Sequence, residues 1–139
     1  MLCITRKATF SAAHRLHNPE LSDEENVRLY GLCNNPLGHG HNYTVEVTVC
    51  GEPDPRDGMV IDLGELGAIV DRELIQKVDH KFLNYQVDFL QGVIPTAENL
   101  ARRFWEVLRD KIPRGHLYEV RVHESEHNCA FYRGGEVDG

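Results

Sequence analysis

Two histidines separated by one glycine are the residues of this sequence best suited to bind a metal ion. His39 and His41 lie within residues 33–43 (CNNPLGHGHNY), which lead directly into a predicted strand. On an extended chain, residues i and i+2 point to the same side, about 6–7 Å apart. Both imidazoles can therefore approach one ion, and Gly40 between them lets the backbone adjust. The spacing predicts two ligands of one metal site.

A third ligand is expected at the end of the preceding strand. Residues 2–13 alternate between apolar and polar side chains, and His14 continues the parity of the apolar set. Three imidazoles with an open fourth position are typical of catalytic zinc, whereas structural zinc sites fill all four positions. Unrelated surface or core histidines are the plain alternative, because a His-x-His pair alone is a weak signal. A cupin-like site that adds Glu46 is a rival, but Glu46 has the opposite parity on its strand.

Other residues of this sequence could move protons. Cys33 precedes His39 by six residues, and a nearby cation would lower its thiol pKa enough to make it a usable base. An inert packed thiol is the alternative reading. Asp79 could orient the imidazole of His80 so that the pair exchanges protons with Cys33, although a histidine at a helix end is more often only a cap. Glu124 could accept two N–H donors from a heterocycle, although an ordinary exposed acid is the plainer reading.

The patterns around these residues predict an α+β domain of order ββααββ. Strands are predicted over residues 2–13, 43–50, 117–124 and 129–132. One helix should begin at a capping box formed by Asp62 and Glu65 and end near His80, and Thr96 should cap a second. The intervening segments 15–32, with a possible helical turn at 23–29, and 82–92 are predicted as surface excursions.

The predicted architecture places two helices on one face of a four-stranded antiparallel sheet. The opposite face is polar, and its edge strands would be open. Subunits that continue the sheet into a shared, polar-lined barrel would cover both.

Composition restricts the class of protein. The 139 residues are predicted to form one domain over 1–139, and no apolar run approaches the roughly 20 residues that a membrane span needs. Four cysteines without paired spacing, and an N-terminus unlike a signal peptide, predict reduced thiols in a cytoplasmic protein. The net charge of −7 argues against a nucleic-acid partner, and an anionic substrate would need a local basic pocket.

Several motifs together resemble the 6-pyruvoyl-tetrahydropterin synthase family. They are residues 10–16 (FSAAHRL), Cys33-x5-His39-Gly40-His41-Asn42-Tyr43, residues 79–81 (DHK) and residues 96–99 (TAEN), followed by a late strand that ends at Glu124. The resemblance covers essentially the whole chain. It implies the tunnelling fold, in which trimers close a twelve-stranded barrel and two trimers stack into a homohexamer.

The resemblance also implies a role for each candidate residue. Its zinc ligands are His14, His39 and His41. Its general base is Cys33, and Asp79 and His80 of a neighbouring subunit complete the proton relay. Its pterin anchor is Glu124, assisted by Thr96. The implied substrate is 7,8-dihydroneopterin triphosphate, which loses triphosphate through an internal redox reaction that needs no electron carrier. Candidates for phosphate contacts are Lys7, Arg15 and Lys81.

Departures and alternatives accompany this resemblance. Ala97 stands where animal members tend to have a second consecutive threonine, and His123 replaces a frequent aromatic residue. The runner-up is 6-carboxy-tetrahydropterin synthase of queuosine biosynthesis, which uses the same substrate and the same kind of zinc site. Five residues separate Cys33 from His39, as in the pyruvoyl-forming type, whereas carboxy-forming members usually have three. A non-catalytic zinc or pterin-binding module and a generic zinc hydrolase are further alternatives.

Overall fold

Two twelve-residue strands that pair along their whole length form the centre of the fold. In the computed structural model, which describes residues 1–135, they belong to a five-stranded sheet of order β3-β1-β2-β4-β5. The strands are β1 (Cys3–His14), β2 (His39–Cys50), β3 (Lys81–Phe82), β4 (His116–His123) and β5 (Cys129–Tyr132). The four longer strands are antiparallel neighbours, and β3 runs parallel to β1.

Helices connect the strands, and those that follow β2 pack against the sheet. The first is α1 (Asp23–Tyr30), which a 3₁₀ turn (Gly31–Asn34) follows. The second begins as α2 (Leu63–Val70), continues through a π-helical segment (Asp71–Ile75) and ends as α3 (Gln76–Val78). A 3₁₀ turn (Asp88–Leu90) precedes α4 (Ala97–Leu108), which packs against β4 and β5. Both helices begin at the predicted capping residues: Asp62 accepts from the Gly64 N–H, and Thr96 accepts from the Asn99 N–H. The reciprocal bond from Glu65 that a capping box requires is not among the hydrogen bonds of the described residues, so Asp62 acts as a simple cap.

The α+β class is confirmed, but the order ββααββ is incomplete. α1 lies between β1 and β2, where Ser22 accepts a hydrogen bond from the Glu25 N–H and caps a full eight-residue helix. β3 begins one residue before the predicted loop 82–92 and includes the first residue of that loop. A two-residue strand has no alternation to detect, and its pairing depends on backbone contacts such as Leu83 N–H to the Ala13 carbonyl at 2.8 Å.

Alternation along β1 and β2 directs one face of the sheet into the core. Phe10 stacks on Tyr43 across the strand pair, with ring centroids 4.7 Å apart, and meets the edge of Phe104 from α4 at 6.0 Å. Val45, Val47 and Val49 continue this fully buried face. The same parity includes His14, His39 and His41, so the core face of the sheet ends in histidines.

The opposite face of the sheet is polar, as predicted. On it, Glu46 contacts the imidazole of His123 from β4, and Lys7 approaches the same carboxylate at 3.8 Å. Glu46 therefore points away from the three histidines, as its parity predicts. None of the helices within residues 1–135 combines the length and apolar composition that crossing a bilayer requires.

Cys3 and Cys50 form a disulfide, so the prediction of four reduced thiols was wrong for this pair. The two residues face each other at one end of the β1–β2 ladder, with Cα atoms 4.0 Å apart. Their separation of 47 residues carries no pairing signal, because only the strand register brings them together. Cys33 and Cys129 remain free thiols.

Candidate metal centre

Three imidazoles and one carboxylate converge where β1 ends and β2 begins. The register pairs His14 with His39 and places His41 opposite Ala12, whose small side chain leaves room for the ring. The Nε2 atoms of His14 and His39 are 3.2 Å apart. Oε1 of Glu124 lies 2.9 Å from His41 Nε2 and 3.5 Å from His14 Nε2. One ligand atom from each of the four residues lies within 4.8 Å of the others, so together they could hold one metal ion.

Hydrogen bonds from the core hold His14 in one orientation. Its side chain is 1 % exposed, and its Nδ1 lies 2.8 Å from the Pro95 carbonyl and 3.2 Å from the Tyr43 hydroxyl. A carbonyl can only accept, so Nδ1 carries the proton and Nε2 presents its lone pair to the cluster. The role of Pro95 could not be predicted, because a backbone carbonyl from a distant loop leaves no pattern in the sequence. Tyr43 shares the parity of His41, but its contact with His14 depends on the register of the two strands.

The electrostatics of the cluster favour neutral, ligand-ready imidazoles. Burial is the main cause that lowers the pKa of His14 and of His41, and their proximity to His39 lowers both further. His41 Nε2 is buried without a hydrogen-bond partner, since its short approach to Glu124 lacks hydrogen-bond geometry, and His39 Nδ1 is buried without one as well. A buried nitrogen without a partner, such as His41 Nε2 beside the two other imidazoles, is costly unless a cation binds it. The donor set of imidazole nitrogens with a carboxylate oxygen therefore fits a divalent metal such as zinc.

Glu124 was predicted as a pterin anchor, and the structure places its carboxylate in direct contact with the histidine cluster. It follows β4, whose register pairs Val122 with Val45 and His123 with Thr44. The next residue therefore lies on the core face, beside Tyr43 and His41. Its parity with Val120 and Val122 was visible in the sequence and could have placed it next to the histidines.

Cys33 lies beside the cluster but outside the group of possible ligands. It is half-buried in the 3₁₀ turn that follows α1. With Arg15 and His39 it lines a groove of about 740 Å³. The carbonyl of Cys33 accepts a hydrogen bond of 2.9 Å from the Leu16 N–H, which ties the turn to the chain just after His14. Cys33 therefore shares a groove with His39, whereas His41 lines the neighbouring cavity.

Asp79 and His80 form a pair on the other side of β1. Asp79 accepts a 2.9 Å hydrogen bond from the Ser11 N–H, and its second oxygen lies 3.0 Å from His80 Nδ1. The Ser11 hydrogen bond is the main cause that lowers the Asp79 pKa, and the contact with His80 lowers it further. His80 adopts a positive φ of 60° and exposes 82 % of its side chain.

The pair and the thiol do not meet within one chain. His80 lines a separate cavity of about 470 Å³ with Lys81 and Phe82, and the groove of Cys33 contains neither Asp79 nor His80. Of the phosphate candidates, Arg15 lines the groove of Cys33, Lys81 lines the cavity of His80, and Lys7 lies near Glu46 on the polar face. Thr96 is half-buried at the start of α4, next to the carbonyl that holds His14.

Comparison with known proteins identifies relatives along nearly the whole chain. The family model described as 6-pyruvoyl tetrahydropterin synthase matches residues 3–135. The human 6-pyruvoyl tetrahydrobiopterin synthase is 47% identical over 131 residues, which cover 94% of this chain and 90% of the human protein. A putative 6-carboxy-5,6,7,8-tetrahydropterin synthase of Archaeoglobus fulgidus is 39% identical over 95 residues, covering 68% of this chain and 75% of its own.

Solved structures agree with the architecture. The 6-pyruvoyl tetrahydropterin synthase of Caenorhabditis elegans superposes with a TM-score of 0.91 at 40% identity, and the match covers 96% of both chains. The fold that places the cluster is therefore one that this relative shares almost completely.

Proposed function

Because the chain belongs to the 6-pyruvoyl-tetrahydropterin synthase family, we propose that it is a lyase that converts 7,8-dihydroneopterin triphosphate to 6-pyruvoyl-tetrahydropterin and releases triphosphate. Residues 1–139 would act as one catalytic domain, which the match over residues 3–135 supports. The convergence of His14, His39 and His41 beside the groove of Cys33 is the observation that carries the proposal.

The three histidines would hold zinc, and Glu124 stands close enough to complete the coordination when no substrate is present. Zinc held by these residues would supply Lewis acidity to the oxygen atoms of the substrate side chain. Pro95 supports the site because its carbonyl fixes the tautomer of His14 and so keeps Nε2 available.

Cys33 would take up and return protons at the substrate side chain, from the wall of the groove that it shares with His39. Asp79 would orient His80 through the 3.0 Å contact with Nδ1, which leaves Nε2 free to exchange protons. Glu124 would accept N–H groups of the pterin ring, with Thr96 beside it, once the substrate enters. Arg15 is the basic residue that the groove already contains and would face the anionic part of the substrate.

The separation of Cys33 from Asp79 and His80 supports an assembly in which neighbouring subunits share each site. We propose the trimer of the tunnelling fold, closed into a barrel and stacked in pairs as a homohexamer. The open edge of β5 supports this assembly, because an unpaired strand edge can pair with a neighbouring subunit. The polar sheet face that carries Glu46, Arg121 and His123 is compatible with the lining of such a barrel.

The test is to incubate the purified, zinc-loaded protein with 7,8-dihydroneopterin triphosphate and to identify the product by mass. A 6-pyruvoyl product with released triphosphate supports the proposal. A 6-carboxy product would instead show that the protein is a 6-carboxy-tetrahydropterin synthase. This alternative remains because the Archaeoglobus fulgidus relative carries that putative name. The five residues between Cys33 and His39 favour the pyruvoyl product.

We propose that the enzyme acts in the cytoplasm, because the proposed reaction needs a free Cys33 thiol. We also propose that it has no nucleic-acid or membrane partner, and its net charge of −7 argues against the former. The disulfide between Cys3 and Cys50 is unusual for that compartment. Alkylation of freshly lysed cells before mass analysis would show whether this bond exists there.

A further inference from the structure

We propose that Asn34 is a positioning residue that holds the thiol of Cys33 against the chain segment that follows His14. This inference rests on the proposed function. Asn34 is 4 % exposed, and its polar atoms contact three consecutive residues beyond the end of β1. They are Arg15, Leu16 and His17.

The contacts of Asn34 join the turn to the strand end at several points. Its Nδ2 donates to the Leu16 carbonyl at 2.8 Å and lies 3.0 Å from His17 Nδ1. Its main-chain carbonyl accepts from Arg15 Nε at 2.9 Å. Next to it, the carbonyl of Cys33 accepts from the Leu16 N–H at 2.9 Å. Both polar backbone groups of Leu16 therefore bond to the turn that carries the thiol.

Packing does little to hold this turn in place. Asn34 is the only buried residue among Gly31–Asn34, and the neighbouring Leu32 is 94 % exposed. The turn has no side-chain cap at its start. The position of Cys33 therefore depends on the hydrogen bonds of Asn34 and on the bond between the Cys33 carbonyl and the Leu16 N–H, because few apolar contacts hold the turn. A thiol displaced by about 1 Å from a reacting centre can lose about 100-fold in rate.

Asn26 provides a matched control in the adjacent helix. It is also fully buried, and its amide contacts Asn18, Leu21 and Ser22 within the excursion before α1. It makes no contact with the Cys33 turn among these bonds. Loss of either side chain removes a buried amide network, but only the network of Asn34 holds the turn that carries the thiol.

The test compares Asn34→Ser and Asn26→Ser in a full-length, zinc-loaded parent that carries Cys129→Ser, so that Cys33 is the free thiol. In Asn34→Ser we expect kcat to fall about 10–100-fold with KM nearly unchanged. We also expect Cys33 to be alkylated by iodoacetamide several-fold faster, with a shifted pH profile. Asn26→Ser should match the parent in both. If Asn34→Ser fails to fold, Asn34→Asp keeps the size and removes the donors to Leu16.

Equal rates of Cys33 alkylation in Asn34→Ser and Asn26→Ser would overturn the inference. An unchanged kcat in an Asn34→Ser protein whose Cys33 is alkylated faster than in the parent would overturn it as well. A parent that does not convert the pterin triphosphate would sink the proposed function alone. In that case the alkylation rates and their pH profiles would still decide whether Asn34 positions the thiol.

Discussion

His14 and His39 face each other directly across the β1–β2 pair, with their Nε2 atoms 3.2 Å apart. Because Nδ1 of His14 carries the proton and donates it to the Pro95 carbonyl, the lone pair of Nε2 points into the cluster. Without a cation or a proton between them, two such nitrogens repel each other. The arrangement therefore fits a cation bound between the two nitrogens.

Replacement of a histidine should release the metal. His39→Ala and His41→Ala each remove one imidazole, so affinity should fall by more than the roughly 10–100-fold that follows loss of an outer-shell partner. Metal content after dialysis, measured by mass spectrometry of the elements, checks this. His116→Ala is the control, because His116 is exposed at the start of β4. Equal zinc in all three variants would contradict the proposed ligand set.

Removal of the thiol should stop turnover but leave the metal in place. Cys33→Ala should lower kcat by about 10²–10⁴-fold, the usual contribution of a positioned acid–base group, because Cys33 lies outside the ligand group. Zinc content should be that of the parent. Cys129→Ala, which removes an exposed free thiol, should have parental activity. Retained turnover in Cys33→Ala would favour a non-catalytic binding module or another base.

Parity along the strands made the histidine cluster predictable. His14 follows the alternation of Phe10 and Ala12, and His41 follows that of Tyr43, so both faces could be assigned before the register was known. The register itself was not predictable, since it depends on which residues of two distant strands pair. The Cys3–Cys50 disulfide could not be predicted for the same reason, because only this register brings the two cysteines together.

Features that depend on backbone contacts could not be predicted from the sequence either. The parallel pairing of β3 with β1 involves two residues, and Pro95 acts through its carbonyl rather than its side chain. The clustering of Glu124 with His41 could have been found, because its parity matches that of Val122.

Substitution of Glu124 should separate its two possible contributions. Glu124→Gln keeps the size of the side chain and removes its charge, so it should weaken pterin binding by about 10–100-fold, as expected for loss of a charge-assisted hydrogen-bond pair. If the three histidines suffice for zinc, metal content should stay parental. Titration with a pterin analogue and metal analysis on the same samples check both. Loss of zinc together with binding would make Glu124 a required ligand.

The metal-free protein should lose stability as the pH falls below about 6.5, the ordinary value for histidine. Burial lowers the folded-state pKa of His14 and His41, so the unfolded chain binds protons that the folded chain does not. Above pH 6.5 both histidines are neutral in the folded and the unfolded chain, so they cost no stability there. The free energy of unfolding declines as the pH falls from 6.5 towards the lowered pKa values of the folded state. Thermal unfolding of metal-free protein from pH 8 to pH 5 measures the decline. In His14→Asn, which removes one of these groups, it should be smaller.

Mixing of two inactive variants should restore activity if neighbouring subunits share the site. Cys33 and His80 line different cavities of one chain, so Cys33→Ala and His80→Ala each disable a different half of the proposed site. In oligomers reassembled from equal amounts of both, random pairing leaves about a quarter of the sites with an intact thiol and an intact imidazole. Activity should recover to about that fraction of the parent, and each variant treated alone gives the baseline. No recovery, in mixtures shown to contain both chains in one oligomer, would place Cys33 and His80 in the same subunit's site and contradict the shared arrangement.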